Sequence, residues 1–183
     1  ENLPYYRFIK TKFLEIPLVV SRTGWTSELG YEIFLCDGNK GALLWEKIME
    51  VGEPFGLKPG HTSTIRRVEG AMLSYHADVN SLNNPFEYGL ERLVDIDKTS
   101  DFIGRSALKK IKKNGVNIKQ IGIIIECEPL LSPNNEFWEI LANNKIIGKV
   151  TSAVYSPRLK KNIALCLIDI KYAKIGSFVH VVI

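Results

Sequence analysis

Hydrophobic residues alternate with polar ones in some stretches of the chain and recur every three to four residues in others, and these two periods separate the expected strands from the expected helices. Ile16–Thr23 (IPLVVSRT) and Tyr31–Cys36 (YEIFLC) are β-branched and aromatic runs suited to strands, joined by a loop over 24–30. Asp37 and Asn39 can each cap a helix. Beyond them Leu44, Ile48 and Val51 recur at i, i+4 and i+7, which predicts an amphipathic helix stopping at Gly52 or before Pro54. After the Pro59-Gly60 turn, Thr62 or Ser63 can cap a second helix with Ile65, Val68 and Met72 on one face. Two strands followed by two helices imply a mixed α+β layer.

Past Asp97 the pattern changes. A short basic helix over Gly104–Lys113 closes at Asn114-Gly115, and short strand candidates follow: Gln120–Cys127, Trp138–Ala142, Ile146–Thr151, Ile163–Ile168 and Ser177–Ile183. Asn143-Asn144 reads as a tight hairpin turn between the second and third of them. Closely spaced short strands predict a small antiparallel barrel or sandwich. The expected fold is therefore α+β, with a mixed α/β unit over 1–97 and a small antiparallel β-barrel over 98–183.

Charge supports that division. Residues 1–97 carry 10 Lys/Arg against 14 Asp/Glu, a net of −4, whereas 98–183 carry 14 against 6, a net of +8. A basic second unit can meet an anionic ligand, nucleic acid or an acidic partner, and scattered lysines on a solvated face explain the same balance. Nucleic acid is disfavoured because the lysines lack the interleaved aromatics of a stacking platform. The remaining composition, 45% hydrophobic and 24% charged, is that of a globular protein. No apolar run reaches the 18 or so residues of a membrane helix and no signal pattern opens the chain, so the expected location is cytoplasmic, with no membrane partner.

Cys36, Cys127 and Cys166 have neither the paired spacing of a zinc site nor that of a redox motif. Each sits among apolar neighbours, so all three are expected to be buried, reduced thiols, and no metal is expected. His61 and His76 lack a recognisable partner and are expected to be surface or polar-core residues.

Glu32 is the most informative position. Tyr31, Ile33 and Leu35 fall on one side of its strand, and Phe34 and Cys36 share its own side. A carboxylate between two apolar faces is expected to be buried and to require donors. Arg22, brought opposite by the hairpin, is one source. A planar ligand with two adjacent N–H groups is the other.

Several segments carry a resemblance to a known family. The stretch Ser21-Arg-Thr-Gly-Trp-Thr-Ser-Glu-Leu-Gly-Tyr-Glu-Ile33 resembles R-x-G-Y-T-G-E-D-G-x-E-I of the glycine-cleavage T-protein (aminomethyltransferase) family. Arg67-Val-Glu-Gly-Ala-Met-Leu-Ser-Tyr75 with Asp78 is similar to its R-[LV]-E-x-G-x-x-x-Y-G-x-D-[IM] segment. Asn84-Pro85-Phe-Glu-Tyr-Gly-Leu90 is similar to P-x-E-x-x-L. Further on, the segments beginning at Asp101, Ile147 and Ser156 match F-I-G-[KR]-x-A-L, G-x-V-T-S and S-P-[ST]-L-[KG]-x-x-I-A-[ML] in order.

The resemblance implies a tetrahydrofolate-dependent one-carbon transferase, moving a one-carbon group from an amine or sulfonium donor to tetrahydrofolate. It implies that Glu32 binds the pterin, that Trp25 stands where a tyrosine lines the folate pocket, and that Arg22, Glu69, Tyr75 and Asp78 support the site. Departures accompany it. Ser63 takes the place of a folate-contacting arginine, and the run around Leu73–Tyr75 and Asn83–Glu87 looks closer to the dimethylsulfoniopropionate demethylase branch. The family's folate-contacting aspartate belongs to a region before the segment with which this chain begins, so no catalytic residue is assigned and the chain alone is expected to be catalytically incomplete. A non-catalytic folate-binding or interaction module, either a truncated paralogue or a subunit, is the alternative; a carrier protein or a missing N-terminal half is an expected partner.

Overall fold

The computed structural model describes residues 2–183, which divide into two compact units, 2–66 and 67–183. This boundary of compactness differs in kind from the boundary of charge near Asp97.

In the first unit, β1 (Phe8–Phe13), β2 (Ile16–Ser21) and β3 (Glu32–Leu35) form an antiparallel sheet in that order. Helix α1 (Gly41–Gly52) follows a single 3-10 turn whose cap is Asp37, which accepts from the Asn39 N–H at 3.1 Å. Leu44 and Ile48 of α1 pack on Ile16, Leu18, Val20 and Leu35, closing a small core against one face of the sheet. Val51, expected on the buried stripe, is 59% exposed: the short three-stranded sheet does not extend beneath the last turn of the helix. Strand β1 was not expected. Its two-residue turn, Leu14-Glu15, has φ of 47° and 61° without the glycine or asparagine that normally marks such a turn.

Helix α2 (Thr64–Glu69) starts at the expected cap, Ser63, whose hydroxyl accepts from the Arg66 N–H at 3.2 Å. It ends three residues before Met72. Ala71 enters the left-handed region at φ 53°, and the Met72 N–H returns to the Arg67 carbonyl at 2.7 Å, closing the C-terminus of the helix.

The second unit holds α3 (Arg105–Asn114) and strands β4 (Ile118–Ile125), β5 (Trp138–Ala142), β6 (Lys145–Ser156), β7 (Lys161–Asp169) and β8 (His180–Val181). They pair antiparallel in the order β4-β7-β6-β5-β8. The Asn143-Asn144 turn has φ of 50° and 60°, as a primed hairpin turn requires. Ile140, Val150, Ala153, Ala164, Cys166 and Ile168 form the core. Two breaks in register bend the sheet, at Ile140/Leu141 and at Val150/Ser152. At Gly148 the strands run so close that a Cβ would lie 2.4 Å from the Leu167 carbonyl oxygen and 2.7 Å from the Ile168 Cα.

The cysteines divide by environment, which corrects the expectation that all three are buried. Cys166 is buried in the core, and desolvation pushes its thiol up to about 12. Cys36 and Cys127 are exposed. Cys36 follows β3 on the side of Glu32, away from α1, and Cys127 lies past the end of β4, its Sγ 3.3 Å from Asn162 Nδ2.

Two outcomes follow. At pH 8 a thiol reagent should modify Cys36 and Cys127 in the native chain and reach Cys166 only after denaturation, because the buried thiol stays protonated until near its raised pKa. Three equally fast thiols in a time course would contradict this. Gly148→Ala should lower stability by about 1–3 kcal/mol in chemical denaturation. Gly122→Ala, whose Cβ would sit 3.8 Å from the Ala164 carbonyl oxygen, should have a much smaller effect.

Candidate functional site

The β2–β3 register sets the first site. Leu18 faces Leu35, Val20 faces Ile33, and Ser21 faces Glu32. Strand alternation then places Leu18, Val20, Ile33 and Leu35 toward α1, and Val19, Ser21, Glu32 and Phe34 on the opposite, open face. Phe8 of β1, opposite Ser21, joins them. Phe8 and Phe34 are 62% and 54% exposed, and Glu32 is exposed as well. Burial was expected for Glu32 because both of its flanks are apolar. The expectation fails because only one face of this sheet carries a helix.

Arg22 is not the partner of Glu32. It lies one residue past the last paired position, its Nη1 donating to the Leu3 carbonyl at 2.8 Å and its guanidinium lying 4.7 Å from the centre of the Tyr5 ring. The group that meets Glu32 is the Thr23 hydroxyl, which donates to Glu32 Oε2, and Thr23 Oγ1 is in turn 2.6 Å from Ser21 Oγ. Sequence reasoning missed both hydroxyls. Their signal was present in the alternation that puts Ser21 and Glu32 on one face, but an expected ion pair with Arg22 displaced it.

The other expected site residues of this unit lie nearby in the chain. Trp25 occupies the β2–β3 loop, 41% exposed. Ser63 caps α2, and Arg66, one turn further along, reaches back to Glu28 of the same loop at 2.6 Å. Both partners are about half exposed, so this pair steers the loop more than it stabilises the fold.

In the second unit the remaining motif residues gather around buried polar groups. Asp78 accepts four hydrogen bonds: at Oδ2 from Arg67 Nη1 (2.8 Å) and the Ser74 N–H (2.9 Å), and at Oδ1 from the hydroxyls of Thr151 and Ser152 (2.6 Å each). Arg67 Nη2 also donates to Ser152 Oγ at 2.8 Å. Consecutive strand residues normally point to opposite faces; the break in register between Val150 and Ser152 is what lets both hydroxyls reach one carboxylate. Tyr88 is tied to the same loop through Asn83 Oδ1 (2.7 Å). Burial first, then the carboxylates of Glu87 and Asp78, push its phenol up to about 12, so it serves as a donor.

Glu69, its side chain only 4% exposed, accepts from Ser156 Oγ at 2.5 Å and pairs with Arg158 at 2.9 Å. Tyr75 is 60% exposed and stacks edge-on against His76 at 4.4 Å. His76 is exposed, and so is His61, whose Nδ1 lies 2.9 Å from the Thr62 carbonyl oxygen. Among the described residues no group of three or more His, Cys, Asp or Glu could hold a metal ion, and no helix is long and apolar enough to cross a membrane.

The family model of the GCVT N-terminal domain matches residues 1–98, and that of the glycine cleavage T-protein C-terminal barrel domain matches residues 119–183. The chain belongs to the glycine cleavage T-protein family. It is similar to an aminomethyltransferase of Oceanobacillus iheyensis, 37% identical over 187 residues covering 99% of this chain and 49% of that protein. It is likewise similar to one of Thermoanaerobacter pseudethanolicus, 42% identical over 183 residues covering 98% and 48%. Among solved structures, the glycine cleavage system aminomethyltransferase T from Bartonella henselae superposes with a TM-score of 0.77 at 19% identity, covering 91% of this chain and 45% of that one. The chain thus spans about half the length of the curated relatives it matches. Its α+β architecture with a C-terminal barrel domain is that of the family.

The Asp78 cluster yields a test of its own. Asp78→Ala should destabilise the chain by about 3–5 kcal/mol, because Arg67 and two hydroxyls are left buried without their acceptor. Thr151→Val should cost about 1–2 kcal/mol. Equal stability of Asp78→Ala and the parent in urea unfolding would refute the assigned role.

Proposed function

We propose that this chain carries the folate-recognising portion of a one-carbon transferase, which moves a one-carbon group from an amine or sulfonium donor to tetrahydrofolate. The observation that supports this most is Glu32. Its carboxylate stands on the open, partly apolar face of the β1–β2–β3 sheet, beside Phe8, Val19 and Phe34, with one oxygen already held by Thr23. An exposed, oriented carboxylate on an apolar platform suits a flat heterocycle with N–H groups along one edge. The pterin of tetrahydrofolate offers two such donors, its 2-amino group and its ring N–H, which one carboxylate can accept side by side.

In this reading Trp25 provides a π surface for the pterin or the p-aminobenzoyl ring. Ser63 stands at the start of α2, where it caps the helix and leaves the cationic role to another group. Arg22, Glu69 and Tyr75 act through the scaffold: Arg22 braces the N-terminal segment, and Glu69 fastens the Ser156–Arg158 turn. The chemistry asked of the protein is orientation and electrostatic placement of the donor next to the folate nitrogens.

Calorimetry of tetrahydrofolate with the 183-residue chain tests the assignment. Glu32→Gln keeps the shape but replaces one acceptor oxygen by an N–H₂ donor, and should weaken binding by about 10- to 100-fold. Parent and Glu32→Gln binding equally well would remove Glu32 from the site.

A further inference from the structure

The hydroxyl pair beside Glu32 has a direction. Thr23 has one hydroxyl proton, and it is given to Glu32 Oε2. In the 2.6 Å contact between Ser21 Oγ and Thr23 Oγ1, Ser21 must therefore be the donor. Protons run Ser21 to Thr23 to Glu32, and the chain ends on a carboxylate oxygen that can only accept. The backbone fixes its three members: Ser21 and Glu32 are the last cross-strand pair of β2 and β3, and Thr23 lies two residues past Ser21.

An exposed glutamate otherwise samples several rotamers, and ordering it on binding costs conformational entropy. A hydroxyl donor fixed from the strand beside it holds that rotamer before any ligand arrives. Each carboxylate oxygen has room for two donors, so the Thr23 bond leaves Oε2 one acceptor position and Oε1 both of its own. What is presented to a ligand is a pair of acceptors, matched by two adjacent N–H groups and mismatched by a donor next to an acceptor.

We propose that the Ser21–Thr23 hydroxyl chain is the positioning device of this site: it presets the Glu32 carboxylate and restricts it to ligand edges that offer two adjacent N–H donors. The ligand-selecting half of this proposal rests on the folate reading above; the presetting half does not.

The two halves are tested separately. In the ligand-free 183-residue chain, side-chain scalar couplings of Glu32 should report one dominant rotamer in the parent and in Thr23→Ser, and averaged rotamers in Thr23→Val. Averaging already present in the parent, or no change in Thr23→Val, overturns the presetting role whatever the ligand is. In calorimetry, Thr23→Val should bind tetrahydrofolate about tenfold more weakly than the parent, and Thr23→Ser should restore binding. An analogue with the 2-amino group replaced by methyl should lose this dependence on residue 23, which a general loosening of the loop would not produce. Ser21→Ala keeps the Thr23 bond but lets its hydroxyl turn, so its loss should be smaller; it also serves if Thr23→Val proves unstable in a thermal melt. If Thr23→Val binds like the parent while Glu32→Gln does not, the selecting role fails and the folate reading stands. If the parent itself binds no tetrahydrofolate, the folate reading and the selecting role fail together, and the couplings still decide the presetting role.

Discussion

The second unit depends on one carboxylate. Asp78 is buried with four donors around it, and those donors come from three separate parts of the chain: Arg67 at the end of α2, Ser74 in the following loop, and Thr151 with Ser152 in β6. A buried carboxylate tolerates few arrangements, since each lost donor leaves charge without compensation in a medium of low polarity. The segment between α2 and α3 has little regular structure of its own, and this cluster is what ties it to β6. The register break in β6 belongs to the same constraint, because an unbroken strand would turn one of the two hydroxyls away.

The first unit is organised on an opposite principle. Its apolar core lies on the α1 side of the sheet, and the other face is left with aromatic rings and a carboxylate open to the surroundings. The polar groups there are few and linked in order, from Ser21 through Thr23 to Glu32, and they sit at the end of β2 and β3 where pairing stops. Motif residues that look alike in a sequence thus do different work. Arg67, Glu69 and Asp78 are spent on internal bonds, whereas Glu32 accepts from one hydroxyl and stays exposed.

The parts of this architecture that were legible in the sequence are those where local chemistry and global packing agree. Trp138–Ala142, the Asn143-Asn144 turn, Ser63 as a cap and the end of α3 at Asn114-Gly115 all carry their own signals, and each is found where those signals place it. What escaped depends on partners distant in sequence. Strand β1 alternates Ile9, Thr11 and Phe13 with Lys10 and Lys12, but its turn residues, Leu14 and Glu15, carry no turn signal. The strand at the C-terminus, expected over Ser177–Ile183, pairs only at His180–Val181, because β5 offers it only the short stretch Ile140–Leu141.

The error over Glu32 has the same physical origin, and it is instructive about the site. Two apolar flanks do not make two covered faces, because a single helix covers only one side of a three-stranded sheet. Once that face is known to be open, the need for a buried counter-charge disappears and with it the reason to bring Arg22 across. What remains is an exposed carboxylate that a neutral hydroxyl is enough to orient. A neutral hydroxyl differs from a guanidinium in that it fixes geometry without occupying both oxygens and without neutralising the charge. On the folate reading proposed above, the weakness of the internal partner is what leaves the carboxylate able to bind.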